Sequence, residues 1–204
     1  MPHPRLTHPT SRIHSTIMER PLLPLIGARL AQRRGTLGLR LDDLASRTGV
    51  SRAMISRVER GEVNASAVVL DKLCGGLGMT LSHLFSREET SPLSHRAEQP
   101  TWTDPVSGYL RREIAPAGTG SSVHIVEVEF PAGARVTLEK SRHRIIDQHV
   151  WLLEGAIEIT LPTGTYALAP GDCLHMSPNE GITFRNPGTK PARYAVILTT
   201  ESPA

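Results

Sequence analysis

No apolar run in these 204 residues approaches membrane-spanning length, and no segment near the start offers the apolar centre of a secretory signal. A soluble, cytoplasmic protein is the expectation. Cysteine is nearly absent. Cys74 and Cys173 are the only two, far apart and without metal-ligand spacing, so both are expected to be buried or half-buried free thiols. Residues 1–20 have little to bury: proline, histidine, Ser/Thr and arginine dominate, which reads as a disordered tail. Met18 opens a more ordinary-looking stretch, so translation could also start there.

The length leaves room for one small and one medium domain. Charge is shared unevenly between them. Residues 1–90 hold 13 Lys/Arg against 8 Asp/Glu, and residues 91–204 hold 10 against 12, within a total of +3. A basic first half joined to a mildly acidic remainder suits a nucleic-acid-binding head attached to something else.

Within the first half, Leu41 to Gly61 reads LDDLASRTGVSRAMISRVERG. Two short helices meet there at a tight turn. Ala45 is small enough for a helix crossing, Gly49 supplies the open backbone of the turn, and Ser51 can cap the second helix. Leu44, Val50, Ile55 and Val58 are the apolar positions for the interior. Arg52, Ala53, Ser56 and Arg57 then share one outward stripe, at a spacing that reaches base edges in a major groove. Glu59, Arg60 and Gly61 end this helix, with glycine as its stop. Further helices are expected over Pro24 to Arg34, Ala65 to Leu73 and Thr80 to Phe85.

The LA, TGVS and IS..ERG register resembles the phage-repressor-like (XRE) helix-turn-helix family. That resemblance implies five helices around one small core, spanning 21–86, with DNA as partner. Arg40, Ser51, Arg52, Ala53, Ser56 and Arg57 are the expected contacts, Arg40 to a phosphate. One such helix reads too few base pairs for a genomic site, so a homodimer on an inverted repeat is expected.

Residues 87–104 are polar and proline-punctuated, and read as a linker. Beyond them the texture changes to short strands. Ser122 to Phe130 alternates apolar and polar residues, and Val150 to Leu161 is two strands joined at Glu154-Gly155. Thr165 to Ala169, Asp172 to Met176, Ile182 to Arg185 and Arg193 to Thr199 follow between Gly/Pro turns, arguing for a sandwich or barrel. WLLEGAIEI, then Tyr166 to Asp172 with its Pro-Gly-Asp turn, then Phe184 to Gly188 with Asn186, resemble the cupin family. The fold class expected is therefore α+β multidomain: an all-α head and an all-β cupin barrel over 105–204.

A metal-binding cupin presents His-x-His, a Glu seven residues before the strand-end glycine, and a His four before the closing Asn. Here those positions carry Ser141-Arg142-His143, Gln148 and Ile182. One ligand type in four cannot make an ordinary Fe, Mn or Zn site. His149 falls on the opposite strand face from Gln148, and the direction of His175 stays open. Neither a metal nor another cofactor is expected, and no catalytic residue is assigned. The same inward positions, His143, Gln148, Val150, Ile182 and Phe184, would line a pocket for a small organic effector. Arg142 and Arg144 flank it as solvated rim residues. The reading is a transcriptional regulator that senses a metabolite. The alternatives are an inert barrel serving only dimerisation, and an enzyme like the iron-dependent phosphonate epoxidases, which join a similar head to a metal-binding cupin.

Overall fold

A computed structural model describes residues 22–86, 91–116, 118–139, 145–176 and 181–200. The tail expected over 1–20, the rim arginines Arg142 and Arg144, and the pocket residue His143 lie outside the described residues.

Five helices come first: α1 (Leu22–Thr36), α2 (Leu41–Thr48), α3 (Arg52–Glu59), α4 (Ala67–Leu77) and α5 (Leu81–Phe85). Their starts are set by hydroxyl caps. Ser51, Ser66 and Thr80 accept from the backbone N–H groups of Met54, Val69 and His83. Gly49, at φ 69°, closes α2 in the left-handed conformation. Inside, Leu30, Leu44, Ile55, Val58, Leu70, Leu73, Leu77 and Leu84 are fully buried, each contributing roughly 1.5–3 kcal/mol. Helix α1 lies unusually close to the end of α3. A Cβ on Gly27 would sit 2.5 Å from the carbonyl oxygens of Val58 and Glu59. The arginines of α1 do more than face solvent: Arg29 and Arg33 donate to the carbonyls of Leu84 and Leu77, where α5 and α4 end.

The second half is an antiparallel two-sheet barrel. One sheet runs β1 (Thr101–Thr103), β2 (Leu110–Glu113), β3 (Val123–Phe130), β10 (Ala192–Thr200), β5 (Ile145–Glu154) and β8 (Cys173–Met176) in spatial order. The other runs β4 (Arg135–Leu138), β9 (Ile182–Arg185), β6 (Ile157–Leu161) and β7 (Gly164–Leu168). Strand alternation turns Val126, Val128 and Phe130 inward from β3, Val150 and Leu152 from β5, and Tyr194, Val196 and Leu198 from β10. Ile157, Ile159, Ile182 and Phe184 face them from the second sheet.

The motif residues of the barrel hold its turns. Gly155, at φ 81°, ends β5 where a Cβ would meet the Ala192 Cα at 2.8 Å. Asp172 accepts the Ala169 N–H at 2.8 Å. Asn186 is wholly buried; its amide donates to the carbonyls of Phe130 and Lys190, and its oxygen accepts from Gly188 N–H.

Two expectations need correction. The stretch read as linker over 87–104 is not all linker, because Thr101–Thr103 forms β1 against β2. Trp102 is 4% exposed and donates to Asn64 Oδ1 at 2.9 Å. Asp104 accepts from Ala67 N–H at the start of α4, tying the two halves together. Cys74 is buried as expected, whereas Cys173 is exposed on edge strand β8.

Candidate functional site

The outward face of α3 carries the expected side chains. Ser51, Arg52, Ala53 and Arg57 are exposed, with Ser56 half-buried between them. The helix is fixed from behind by Arg34 of α1, whose guanidinium grips the Glu59 carboxylate through two bonds of 2.7 and 2.8 Å. Glu59 points inward, so the outward face keeps its positive charge. Arg52 lies 3.6 Å from Asp42 of α2, both well exposed. Ser51 is occupied as the helix cap, and Ser56 accepts from Arg60. Arg60, absent from the sequence-based set, continues the stripe one turn on. It also pairs with Glu62, whose carboxyl it holds below the usual range. Arg40 is exposed just before α2, where its N–H donates to Asp43.

The barrel holds an inner cavity of about 100 Å³. Gln148, Ile182 and Phe184 line it, beside Phe130, Tyr194 and Leu198. Val150 faces the same interior but is packed at 0% exposure and lines no open space, so its place among the pocket residues is corrected. At this size the cavity has room for nothing larger than a compact molecule, well below the several hundred Å³ of a drug-sized pocket.

Its wall is completed by the helical half. Asp71, Thr80, Leu81 and Ser82 line it together with Tyr109 and Arg111. Arg111 is buried on β2, donating to Glu113 Oε1 at 2.7 Å and to Ser82 Oγ at 2.7 Å. Burial pushes the Glu113 carboxyl up, and the Arg111 charge beside it pulls the other way. Burial likewise raises the Tyr109 and Tyr194 phenols, so both remain neutral hydrogen-bonding groups. Ser82 and Glu113 also border a wider cleft of about 710 Å³, shared with Arg33 of α1, Leu93 and His124. None of this joint was assigned from sequence. The only hint was two arginines and a glutamate in a segment of strand length, Leu110–Glu113.

Among the described residues, the interior positions where a metal-binding cupin places ligands, Gln148 and Ile182, do not supply a metal's donors. Gln148 points its amide at the Met176 sulfur, 3.6 Å away, and Met176, Ile182 and Phe184 around it are buried apolar groups. At Gln148 a neutral carboxamide among thioether and hydrocarbon offers no anionic donor for a divalent cation, and the carboxylates of the wall, Asp71 and Glu139, belong to α4 and to the residue after β4 rather than to the cupin ligand positions.

Comparison with known proteins divides the chain in the same way. Residues 25–84 match a helix-turn-helix domain family, and residues 126–198 match the cupin domain family. The HTH-type transcriptional regulator SutR of Escherichia coli is 21% identical over 178 residues, covering 87% of this chain and 96% of that protein. An uncharacterized HTH-type transcriptional regulator of Sinorhizobium fredii is 29% identical over 72 residues, 35% of this chain and 94% of its own. The crystal structure of an HTH_3 family transcriptional regulator from Vibrio cholerae superposes with a TM-score of 0.72 at 21% identity, covering 87% of this chain and 96% of that one. The exposed arginine face thus lies in the matched helix-turn-helix domain and the cavity in the matched cupin domain, and the chain joins an XRE-type helix-turn-helix domain to a C-terminal cupin domain.

Proposed function

We propose that the protein is a sequence-specific transcriptional regulator whose barrel cavity binds a compact metabolite and transmits its presence to the DNA-reading helix. The observation that carries this reading is the cavity wall itself. Leu81 and Ser82 of the helical half and Gln148 and Phe184 of the barrel border the same space. An occupant there touches both halves at once and has a direct route to differential affinity. Relatives named as HTH-type regulators support the DNA-binding part. The mixed wall of aliphatic, aromatic, amide, guanidinium and carboxylate groups suits a small amino acid, which carries both signs of charge.

On this reading Arg52 and Arg57 read base edges or line the groove, Ser51, Ala53 and Ser56 make the closer contacts, and Arg40 holds a phosphate. The protein works as a homodimer on an inverted repeat, in the cytoplasm and without catalysis. The enzyme reading is disfavoured because Gln148 and Ile182 stand where a cupin enzyme needs ligands. Binding to the upstream region of its own gene, measured by fluorescence anisotropy alongside sedimentation, tests the proposal. The wild type should bind as a dimer. The Arg52→Ala, Arg57→Ala double variant should lose discrimination by about 1–3 kcal/mol per guanine contact. Unchanged affinity and specificity in that variant, or a monomer on the operator, would sink the assignment.

A further inference from the structure

The strand that sends Gln148 into the cavity sends its two neighbours, Asp147 and His149, to the outer surface of the barrel. There His149 stands directly across the ladder from His175 on β8. The two imidazole centroids are 4.9 Å apart, and His175 Nε2 lies 2.5 Å from Asp147 Oδ1. One ligand atom from each of the three residues falls within 4.8 Å of the other two. Asp147 and His149 are half-buried and His175 is exposed, so the group is anchored on one side and open on the other.

We propose that Asp147, His149 and His175 form an exterior site for a divalent transition metal of the zinc class. Two imidazoles and one carboxylate are the donor types such ions prefer. Bond lengths of about 2.0–2.2 Å place the donors of a tetrahedral ion about 3.3 Å apart. Rotations about the side-chain bonds reach that spacing from the observed one, because two donors sit on neighbouring positions of one strand face and the third is their cross-strand partner. The β5–β8 ladder fixes the backbone at His149 and His175, and pairing with Thr199 of β10 fixes it at Asp147, so little ordering is left to oppose binding. The fourth coordination position faces solvent, open to water or to a donor from another molecule. This site is separate from the interior position used by metal-binding cupins: the sheet lies between His149 and Gln148. It rests on neither the DNA-binding reading nor the effector cavity.

Cys173 lies two residues from His175 on the same strand face, but opposite Trp151 and outside the three-residue group. It supplies the discriminating control. The experiment uses the untagged full-length protein, stripped with chelator, then titrated with Zn²⁺ by calorimetry and with Co²⁺ by visible absorption. The expected result is a saturable event of one ion per chain, lost in His149→Ala and in His175→Ala. Cys173→Ser and Gln148→Ala should retain it, and Co²⁺ should show visible d–d bands without thiolate charge transfer. Modification of wild-type histidines by diethyl pyrocarbonate, read by peptide mass, should be blocked by Zn²⁺ at positions 149 and 175; this arm needs no variant to fold. Absence of a saturable event overturns the site. So does binding that survives both histidine variants, or that depends on Cys173 or Gln148.

Discussion

At the scale of single residues, Arg52 and Arg57 share a face but not an environment. Arg52 lies 3.6 Å from Asp42, with roughly two-thirds of each side chain exposed. An ion pair so exposed contributes about 0–1 kcal/mol, which the stronger field of a phosphate backbone easily outcompetes. Asp42 then remains beside DNA as a like charge. Asp42→Asn should therefore tighten binding to every sequence alike and steepen its loss with added salt, while leaving the preferred site unchanged. Anisotropy titrations at two salt concentrations check this; weaker binding of the Asn variant would show that Asp42 orients Arg52 instead. Ser51, Gly49, Leu44, Ile55 and Val58 were all legible in the sequence, because a cap, a turn glycine and a buried face are local properties of one hairpin. The engagement of Ser56 by Arg60 and the burial of Glu59 against Arg34 were not, since each depends on where a flexible side chain finds its partner.

At the scale of elements, the strands that escaped a reading by pattern are β1, β2 and β4. Hydrophobic alternation fails in β2 because its inward residues are Arg111 and Glu113, an ion pair buried at the joint rather than an apolar face. Strand β1 is only three residues long, and Trp102 is its only inward side chain. The long strands β3, β5 and β10 were readable because their inner residues are mostly aliphatic or aromatic. The joint next to β2 also makes a pH dependence. Burial, then the charges of His83 and Arg111, hold the His124 imidazole on β3 below its ordinary value. A base depressed in the folded state takes up protons more readily when unfolded. Its effect is absent well above the ordinary histidine value of about 6.5, and stability falls as the pH drops through that value toward the folded one. His83 on α5 is depressed in the same direction, by burial and by Arg29 and Arg33. Thermal unfolding of the wild type should thus weaken on acidification from neutral pH, and less steeply in His124→Gln. Equal slopes in the two proteins would remove His124 from the account.

At the scale of the whole molecule, the two halves were each visible in the sequence, but the contact between them was not. It is built from long-range partners: Trp102 with Asn64, Arg111 with Ser82, and Asp104 with the start of α4. A run of rings crosses it. Phe85 of α5 lies 5.5 Å from Trp102, then Trp102 from Tyr109 at 5.7 Å, Tyr109 from Phe130 at 6.0 Å, and Phe130 from Tyr194 at 6.1 Å. Tyr194 stacks on Phe184 in the cavity wall. Proximity alone does not establish coupling, which requires that two arrangements of the joint bind the ligand unequally. The bond from Arg111 to Ser82 is the place to test it, because Ser82 belongs to α5 and Arg111 to the barrel, and both line the cavity. If a cavity occupant acts through this link, it should change operator affinity by about 5–150-fold, and operator DNA should change its affinity by the same factor. Ser82→Ala keeps the Arg111–Glu113 pair and adds no bulk, yet it should shrink that factor while leaving unliganded DNA binding nearly unchanged. Lys72→Met serves as the control, since it cuts the Lys72–Glu139 contact that also crosses the joint, between partly and largely exposed side chains. Linked titrations of effector and operator in the three proteins decide the matter: full coupling in Ser82→Ala would place the transmission elsewhere in the joint.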